Sequence, residues 1–213
     1  HTVIEKIRND KPGKATIHIF NLSADGSKAG IATSMLCGGY VKVYVEPLFS
    51  PDKLYIIGAG HCGKALGKLA CLCGFYVVLI DNRKEIIDNL PDDCCHRAIH
   101  HDYANLAEII DFNPHTWIVI MTQGHLHDKE VLEQCLRKPF RYLGMIGSKT
   151  KAAATFTKLK EKGFTPEELA KCHSPVGLPI GSNTPYEIAV SIMAELISLR
   201  NLQDKEEKSF FHK

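Results

Sequence analysis

The sequence predicts an α/β fold in which a parallel sheet, with helices on both faces, follows a small β-rich N-terminal domain. From residue 53 onward, short and almost fully apolar segments alternate with helical segments, which is typical of parallel strands buried on both faces. Before residue 50, apolar and polar residues alternate with a period of two, which is typical of strands with one face in solvent. Together these two patterns predict the fold class.

The composition divides the chain into two predicted domains, residues 1–50 and residues 51–213. Pro47 and Pro51 bracket the connector, and the spacing of apolar residues changes there from a strand period to a strand–helix alternation. In the first domain, Asp25-Gly26 and Cys37-Gly38-Gly39 have turn chemistry. The predicted strands of this domain are residues 15–22 and 40–48.

The second domain contains strands and helices in alternation. A last helix begins at Pro185, because Thr184 is a good N-cap and Glu187 completes a capping box. The predicted strands are residues 53–57, 76–80, 98–100, 116–121 and 141–146, and the predicted helices before the last are residues 62–73, 103–110, 128–136 and 149–163.

Composition and charge exclude several classes of function. The chain has 26 Lys+Arg and 24 Asp+Glu residues, so its formal net charge of +2 gives no general attraction to nucleic acid or to an anionic membrane. The longest apolar runs are too short to span a bilayer, and we find no signal peptide. The eight cysteines are expected to be mostly free, buried thiols of a cytoplasmic protein, since the βα pattern favours a reducing compartment.

A glycine-rich turn in the stretch LYIIGAGHCGKALG (residues 54–67) carries most of the functional information. Gly58, Gly60 and Gly63 form G-x-G-x-x-G between a predicted strand and a predicted helix. The first glycine permits the tight turn, the second lets the backbone approach a pyrophosphate, and the third lets helix and strand pack closely. Asp81 ends the next strand, where an acidic residue would bind ribose hydroxyls. The sequence therefore predicts a Rossmann-like domain.

Two other interpretations of this turn exist. Residues 58–64 also read G-x-x-x-x-G-K, but Ala65 provides no oxygen for magnesium, so a P-loop is disfavoured. An NAD(P)-dependent oxidoreductase stays open as an alternative. The chain has no tyrosine with a lysine four positions later, which a short-chain dehydrogenase would use, and fold alone does not settle function.

Several long motifs resemble one known family. RYLGMIGSKTK (residues 141–151) and SPVGLPIGSNTPYEIAVSIMAE (residues 174–195) resemble the xanthine dehydrogenase accessory protein family (XdhC/CoxI). The stretches GAGHCGKAL, FYVVLIDNR and TQGHLHD fall in the family's order, and CGGYVKVYVEPL resembles the end of its smaller N-terminal domain. The resemblance covers nearly all of residues 36–200, whereas the first 35 residues match poorly.

The resemblance implies a role in cofactor maturation. Members of the family bind molybdenum cofactor and help to insert its sulfurated form into apo xanthine dehydrogenase or a related molybdenum hydroxylase. It further implies a cytoplasmic protein that self-associates and that has a cysteine desulfurase as a second partner. The cofactor ends in a phosphate, or in a pyrophosphate when it is extended to a dinucleotide, and the glycine turn suits either group. NAD is the alternative ligand.

Further candidate site residues follow from the same motifs. Gly147, Ser148 and Lys149 form a second strand-to-helix turn, which would provide another wall of the ligand cleft or would simply be a capped loop. His61 lies inside the glycine turn, facing either ligand or solvent. Arg83 would contact a second phosphate or form a surface ion pair.

Cys37 is the thiol with the strongest functional prediction. It precedes two glycines in a turn, so its thiolate would be accessible to bind molybdenum or to carry sulfur. A buried structural cysteine is the equally weighted alternative. Two departures from the family pattern, Gln123 and Thr150, remove side chains that could contact an anion. Cys94-Cys95-His96 and His125-x-His127 lack the spacing of a zinc site, and the sequence predicts no metal-ligating motif.

Overall fold

The computed structural model of the 213-residue chain describes residues 16–22, 31–32, 39–45, 52–125 and 127–210. The chain forms two compact units, His1–Ser50 and Pro51–Lys213.

The first unit contains a three-stranded sheet in the order β2-β1-β3. Strand β1 (Thr16–Asn21) pairs antiparallel with β3 (Tyr40–Val45) and parallel with the short β2 (Ile31–Ala32). Most of β3 is exposed or half-buried, whereas Phe20 and Asn21 of β1 are buried. The two buried residues are adjacent in sequence, so burial in the described part of this sheet does not follow the period of two in the sequence.

The second unit is built on a six-stranded, fully parallel sheet in the order β6-β5-β4-β7-β8-β9. This arrangement confirms the predicted Rossmann-like fold class. The strands are β4 (Lys53–Ile57), β5 (Tyr76–Asp81), β6 (Arg97–His100), β7 (Thr116–Ile120), β8 (Tyr142–Met145) and β9 (Cys172–His173). The α-helices are α1 (His61–Leu72), α2 (Lys84–Asp88), α3 (Asp128–Cys135), α4 (Lys149–Glu161), α5 (Pro166–Leu169) and α6 (Pro185–Phe210).

The core has two layers, one on each face of this sheet. Strand residues alternate between them, so that Ile57 and Ile120 face one layer while Ile56 and Val119 face the other. Helices α1 and α6 contribute to the layer that contains Trp117, and α3, α4 and α5 contribute to the opposite layer. Each of the central strands is therefore covered on both faces, which explains their continuous apolar sequences.

Two details of the secondary structure differ from the sequence prediction, and a third confirms it. The segment predicted as a helix at residues 103–110 is a 3₁₀ helix over Tyr103–Glu108, interrupted by the non-helical backbone of Asn105. The short α2, α5 and β9 were not predicted, because so few residues carry too little periodicity. The capping box of α6 is present as predicted: Thr184 Oγ1 accepts from Glu187 N–H at 3.3 Å, and Glu187 accepts from Thr184 N–H at 2.9 Å.

The segment between β9 and α6 is held by a half-buried carboxylate. Glu195 accepts hydrogen bonds from the Tyr142 hydroxyl at 3.0 Å and from Gly177 N–H, and its other oxygen lies 2.6 Å from His173 Nδ1. Burial opposes the charge of Glu195, but these partners outweigh it and hold its pKa below the ordinary value. The side chain of Glu195 thus joins α6, β8, β9 and the loop that contains Gly177.

The seven cysteines in the described part of the chain are free thiols, of which Cys94, Cys135 and Cys172 are buried and the other four are half-buried, so burial is less complete than predicted. Across the described helices, none is long and apolar enough to cross a bilayer.

Candidate functional site at the carboxyl edge of the sheet

The order of the strands creates a crevice between β4 and β7. The chain proceeds from β4 to β5 and β6 on one side, then returns to place β7 and β8 on the other side of β4. At such a switch point the connections leave the sheet in opposite directions, and ligands bind beyond the carboxyl ends of the strands. A cleft of about 260 Å³ lies there, lined by Gly60, His61, Lys64, Arg83, Ile86, Met121 and Gln123.

The glycine turn is fixed by close backbone contacts on its inner side. Gly58 has a φ of 116°, and a Cβ at this position would overlap the carbonyl oxygen of Met121. A Cβ at Gly63 would overlap the carbonyl oxygen of Gly58. The turn therefore passes directly against the end of β7, and α1 passes directly against the turn, only because both residues are glycine.

Gly60 differs from its two neighbours. Its backbone has a φ of −68°, which any residue can adopt, and a Cβ added to it would meet no atom within 4 Å. The packing of the protein itself thus gives no reason for glycine here. Gly60 lines the cleft, so its missing side chain leaves backbone open to a bound group.

The N-terminus of α1 is prepared for an anion. No side chain caps this helix, and Lys64 N–H makes a hydrogen bond to Gly60 O at 2.9 Å, which is the first bond of the helix. Since a helix leaves its preceding N–H groups without internal partners, those of the first turn are available to a ligand. The first turn contains His61 and no acidic residue, although acidic residues favour the positive end of a helix.

Among the six α-helices described, only α1 and α4 lack an acidic residue in the first turn. Both begin at turns that the sequence singled out as ligand contacts. The other four helices satisfy their positive ends with their own carboxylates. This difference leaves α1 and α4 as the helices whose N-terminal charge is not already compensated.

Asp81 at the end of β5 is buried, and both of its carboxylate oxygens accept hydrogen bonds. Its Oδ2 accepts hydrogen bonds from Ala59 N–H and from Arg83 Nη2, both at 2.7 Å. Its Oδ1 accepts from Arg83 Nε at 2.8 Å and from Arg83 N–H at 3.0 Å. The side chain of Asp81 has no exposed area, and that of Arg83 is 24% exposed. The acid therefore supports the glycine turn from behind rather than projecting into the cleft.

The same contacts keep both Asp81 and Arg83 in their charged forms. Burial disfavours the charged carboxylate, but the hydrogen bonds from Arg83 and from Ala59 N–H outweigh burial and lower the pKa of Asp81. Conversely, the hydrogen bond to Asp81 raises the pKa of Arg83. Burial, and then the nearby charge of Asp81, raise the pKa of the Tyr103 hydroxyl, which remains neutral. The pair is thus a charged carboxylate bound by a charged guanidinium.

The second predicted turn lies at the same edge of the sheet but does not line this cleft. Gly147 has a φ of 151°, and Ser148 caps α4 by accepting from Lys151 N–H at 3.3 Å. Lys149 is exposed. Strand β8 is two positions from β4, a distance of about 10 Å at normal strand spacing. Gly147, Ser148 and Lys149 are therefore separate from the group that the structure brings together at Gly60.

The remaining predicted residues include Cys37 and His96, and Asp128 directly follows the predicted His125-x-His127 pair. Cys37 lies outside the described residues. Asp128 is buried and accepts hydrogen bonds from Thr122 N–H at 3.0 Å and Thr122 Oγ1 at 2.6 Å, and it begins α3. His96 Nδ1 accepts a hydrogen bond from Val77 N–H at 3.1 Å. In the described part of the chain, no group of three or more His, Cys, Asp or Glu residues could hold a metal ion.

Sequence reasoning missed Lys64 and Met121 as lining residues. The sequence pattern drew attention to Lys64 only as the lysine of a P-loop. Because Lys64 lies four positions after Gly60, it is one helical turn further along the same face of α1 and also lines the cleft. Met121 could have been inferred from the topology, because β7 must lie beside β4 at a switch point.

Comparisons with known proteins agree with this architecture. Residues 54–196 match the model of a family described as the XdhC Rossmann domain. The chain belongs to the XdhC family. The match begins one residue into β4 and ends within α6, so it includes the whole crevice.

Three curated relatives are similar to the XdhC chain. An uncharacterized protein of Escherichia coli K12, YqeB, is 31% identical over 166 residues, which cover 78% of this chain and 30% of the relative. A probable xanthine dehydrogenase subunit of Bacillus subtilis 168 is 29% identical over 158 residues, 74% of this chain and 46% of the relative. The molybdenum cofactor insertion chaperone PaoD of E. coli K12 is 35% identical over 69 residues, 32% of this chain and 21% of the relative.

A solved structure shares the fold. A crystal structure described as a xanthine dehydrogenase from Bacillus halodurans matches 89% of this chain and 60% of its own chain, with a TM-score of 0.63 and 27% identity. The XdhC chain therefore spans less than half the length of each of the three curated relatives and about three fifths of this structure. The names of two relatives concern xanthine dehydrogenase or molybdenum cofactor insertion, and none of these findings supports NAD as a ligand.

Proposed function

We propose that this XdhC protein binds molybdenum cofactor as cargo and assists its insertion into xanthine dehydrogenase or a related molybdenum hydroxylase. The observation that carries the proposal is the uncapped N-terminus of α1, which opens onto the cleft beside Gly60 in a chain of the XdhC family. The names of the relatives support the class of cargo.

The chemistry of the cleft fits the phosphate end of the cofactor. The free N–H groups at the start of α1 suit phosphate oxygens, and the open space at Gly60 lets that group approach the backbone. Lys64 and Arg83 line the same cleft and add positive charge. Ile86 and Met121 add apolar surface, which suits the flat face of a heterocycle. No described acidic side chain lines the cleft, so nothing there repels an anion.

We assign each residue a binding role rather than a catalytic one. Gly58 and Gly63 shape the turn, Gly60 admits the phosphate, and His61 and Lys64 lie beside it. Gly147, Ser148 and Lys149 are proposed as a second contact, because α4 is the other described helix whose first turn lacks an acid. The predicted contact of the Cys37 thiolate with molybdenum is retained as a proposal.

The partners follow from the proposed cargo. We propose an apo molybdenum hydroxylase as the acceptor, a cysteine desulfurase as the source of the terminal sulfur, and self-association of the chain in the cytoplasm. Under this proposal the protein releases its cargo when it docks on the acceptor, and it turns over no substrate of its own.

Retention of the cofactor tests the proposed function. The protein is incubated anaerobically with molybdenum cofactor and separated by gel filtration, and molybdenum and oxidised pterin fluorescence are measured in the protein fraction. We expect near-stoichiometric retention, reduced at least tenfold by Gly60→Val, whose side chain fills the space for the phosphate. Cys37→Ala, assayed alongside, should lose molybdenum more than pterin if the thiolate contacts the metal.

A matched pair of lysines on α1 controls for general charge effects. Lys64→Ala should lower retention about three- to tenfold, since it removes a cation from the cleft. Lys68→Ala removes an equal charge one turn later, where Lys68 pairs with Asp93 outside the cleft, and it should have no effect. Equal losses for both variants, or NAD(H) binding with turnover in place of cofactor retention, would contradict the proposal.

A further inference from the structure

The pairing of Asp81 with Arg83 bears on which form of the cargo the cleft can accept. In dinucleotide-binding folds, the acid at the end of the second strand accepts hydrogen bonds from the hydroxyls of a ribose. Asp81 occupies that position at the end of β5, next to the glycine turn. In this chain, however, its side chain has no exposed area.

The carboxylate of Asp81 has no remaining capacity for a ribose. Each carboxylate oxygen has about two acceptor positions. Oδ1 uses both for Arg83, through its N–H and Nε, and Oδ2 uses its two for Arg83 Nη2 and Ala59 N–H. A ribose diol could bind only by displacing the guanidinium, which would leave one buried charge without its partner.

Arg83 has a second role on its outer side. Because Nε and Nη2 both bind Asp81, Nη1 is the nitrogen that points away from the carboxylate. Arg83 also lines the cleft together with Gly60 and Lys64. The same side chain thus closes the ribose position and presents a cation to a phosphate.

We infer that Arg83 determines specificity, so that the cleft binds a terminal phosphomonoester and rejects a phosphate that carries a ribose. This inference rests on the proposed function. Applied to the cargo, it selects the mononucleotide form of molybdenum cofactor over the form extended by a nucleotide through a pyrophosphate. It also explains why this chain has a G-x-G-x-x-G turn followed by an acid although the names of its relatives do not mention NAD.

Binding to the intact chain and to Arg83→Ala tests the inference. The probes are the mononucleotide cofactor, its cytidine dinucleotide, NADH and NADPH, measured anaerobically by retention for the first two and by fluorescence titration for the others. We expect the wild type to prefer the mononucleotide form at least tenfold and to bind neither nicotinamide cofactor. Arg83→Ala exposes Asp81, so NADH and the dinucleotide should gain at least tenfold in affinity, while the mononucleotide should lose three- to tenfold.

Two further variants separate this effect from a general change in the cleft. Arg83→Ala combined with Asp81→Asn should lose the gained NADH affinity, because the amide lacks the two acceptor oxygens of the carboxylate. Arg83→Lys keeps a cation but frees part of Asp81, and it should show an intermediate gain. Thermal unfolding identifies any variant that does not fold. For such a variant, the preference of the wild type for the mononucleotide over the dinucleotide cofactor tests the inference.

The outcomes distinguish this inference from the proposed function. Retention of both cofactor forms by the wild type with equal affinity, or tight binding of NADPH with its 2′-phosphate on Arg83, would overturn the inference and leave cofactor carriage intact. Retention of neither form would overturn the proposed function, whereas the gain of NADH binding in Arg83→Ala would still establish Arg83 as the residue that closes the ribose position.

Discussion

The two strand-to-helix turns at the carboxyl edge of the sheet satisfy their helices in different ways. The turn after β4 has no side-chain cap, is held by backbone contacts at Gly58 and Gly63, and opens onto the cleft. The turn after β8 is capped by Ser148, and a Cβ at Gly147 would have its nearest neighbour 3.8 Å away. Both helices begin without an acidic residue.

This difference separates a helix end without a side-chain cap from a helix end that its own serine caps. A helix end with one N–H group already bound by a serine, as at Ser148, loses less when no anion is present. The end of α1 has no such substitute, so its N–H groups and its positive charge are satisfied only by water or by a ligand. Packing accordingly constrains Gly58 and Gly63, whereas Gly60 faces open space.

The largest expected effect is on the free energy of unfolding, and it differs between a glycine of the first turn and a glycine of the second. Gly63→Ala should destabilise the protein by about 3 kcal/mol or more, because the new methyl overlaps the Gly58 carbonyl and backbone must move. Gly147→Ala should cost about 1–2 kcal/mol, since only its positive φ is strained. Urea unfolding measures both.

Gly60→Ala is the control for this comparison. It adds the same methyl group three positions before Gly63, in open space and with a permitted backbone, and should cost no more than about 1 kcal/mol, because Gly60 is the N-cap of α1 and alanine is less favourable than glycine there. A similar cost for Gly60→Ala and Gly63→Ala would show that the turn is not packed as described.

The next effect concerns Asp81, which supports the first turn from behind together with Arg83. Asp81→Asn should cost about 2 kcal/mol at neutral pH, because it weakens the bonds to Arg83 and Ala59 in a buried place. The pKa of Asp81 is lower in the folded state than in the unfolded chain, so its stabilisation is present at neutral pH and decreases as the pH falls through the acid range.

Urea unfolding at several pH values tests whether the stabilisation by Asp81 decreases as the pH falls. The difference in unfolding free energy between wild type and Asp81→Asn should be full near pH 7 and should shrink below about pH 4, where the unfolded carboxyl takes up its proton first. A difference that grows as the pH falls would contradict the assignment of Asp81 as the ionised partner of Arg83.

The smallest expected effect belongs to the cap of the second turn. Ser148→Ala should destabilise the protein by about 1 kcal/mol, and Ser148→Asp should restore that loss, since aspartate also caps and suits the positive end of α4. If the second turn also contacts the phosphorylated cargo, Ser148→Asp should lower retention through charge repulsion while Ser148→Ala does not. Equal retention by both variants would restrict binding to the first turn.

The sequence predicted the parts of the molecule that depend on local pattern. The parallel strands, the helices α1, α3, α4 and α6, and the capping box at Thr184 follow from periodicity and cap chemistry, and the structure confirms the fold class. The motifs also predict Gly60, His61 and Arg83 as site residues, and the structure places them along one cleft.

Other features could not be predicted because they depend on contacts between distant residues. A one-dimensional motif identifies an acid at position 81 but does not show that Arg83 has turned back onto it and removed it from the cleft. Met121 reaches the site only through the order of the strands. The 3₁₀ helix over Tyr103–Glu108 is interrupted by the non-helical backbone of Asn105, which apolar spacing does not reveal.

The position of β7 beside β4 has a consequence for the order of events during synthesis. Lys53 pairs with Thr116, and one wall of the cleft is formed by Met121 and Gln123. A nascent chain that has emerged only as far as β6 already contains the complete glycine motif and the Asp81–Arg83 pair, yet it has no cleft. Under the proposed function, the chain becomes able to bind its cargo only after β7 has left the ribosome and docked beside β4, and a chain that ends before β7 cannot bind it.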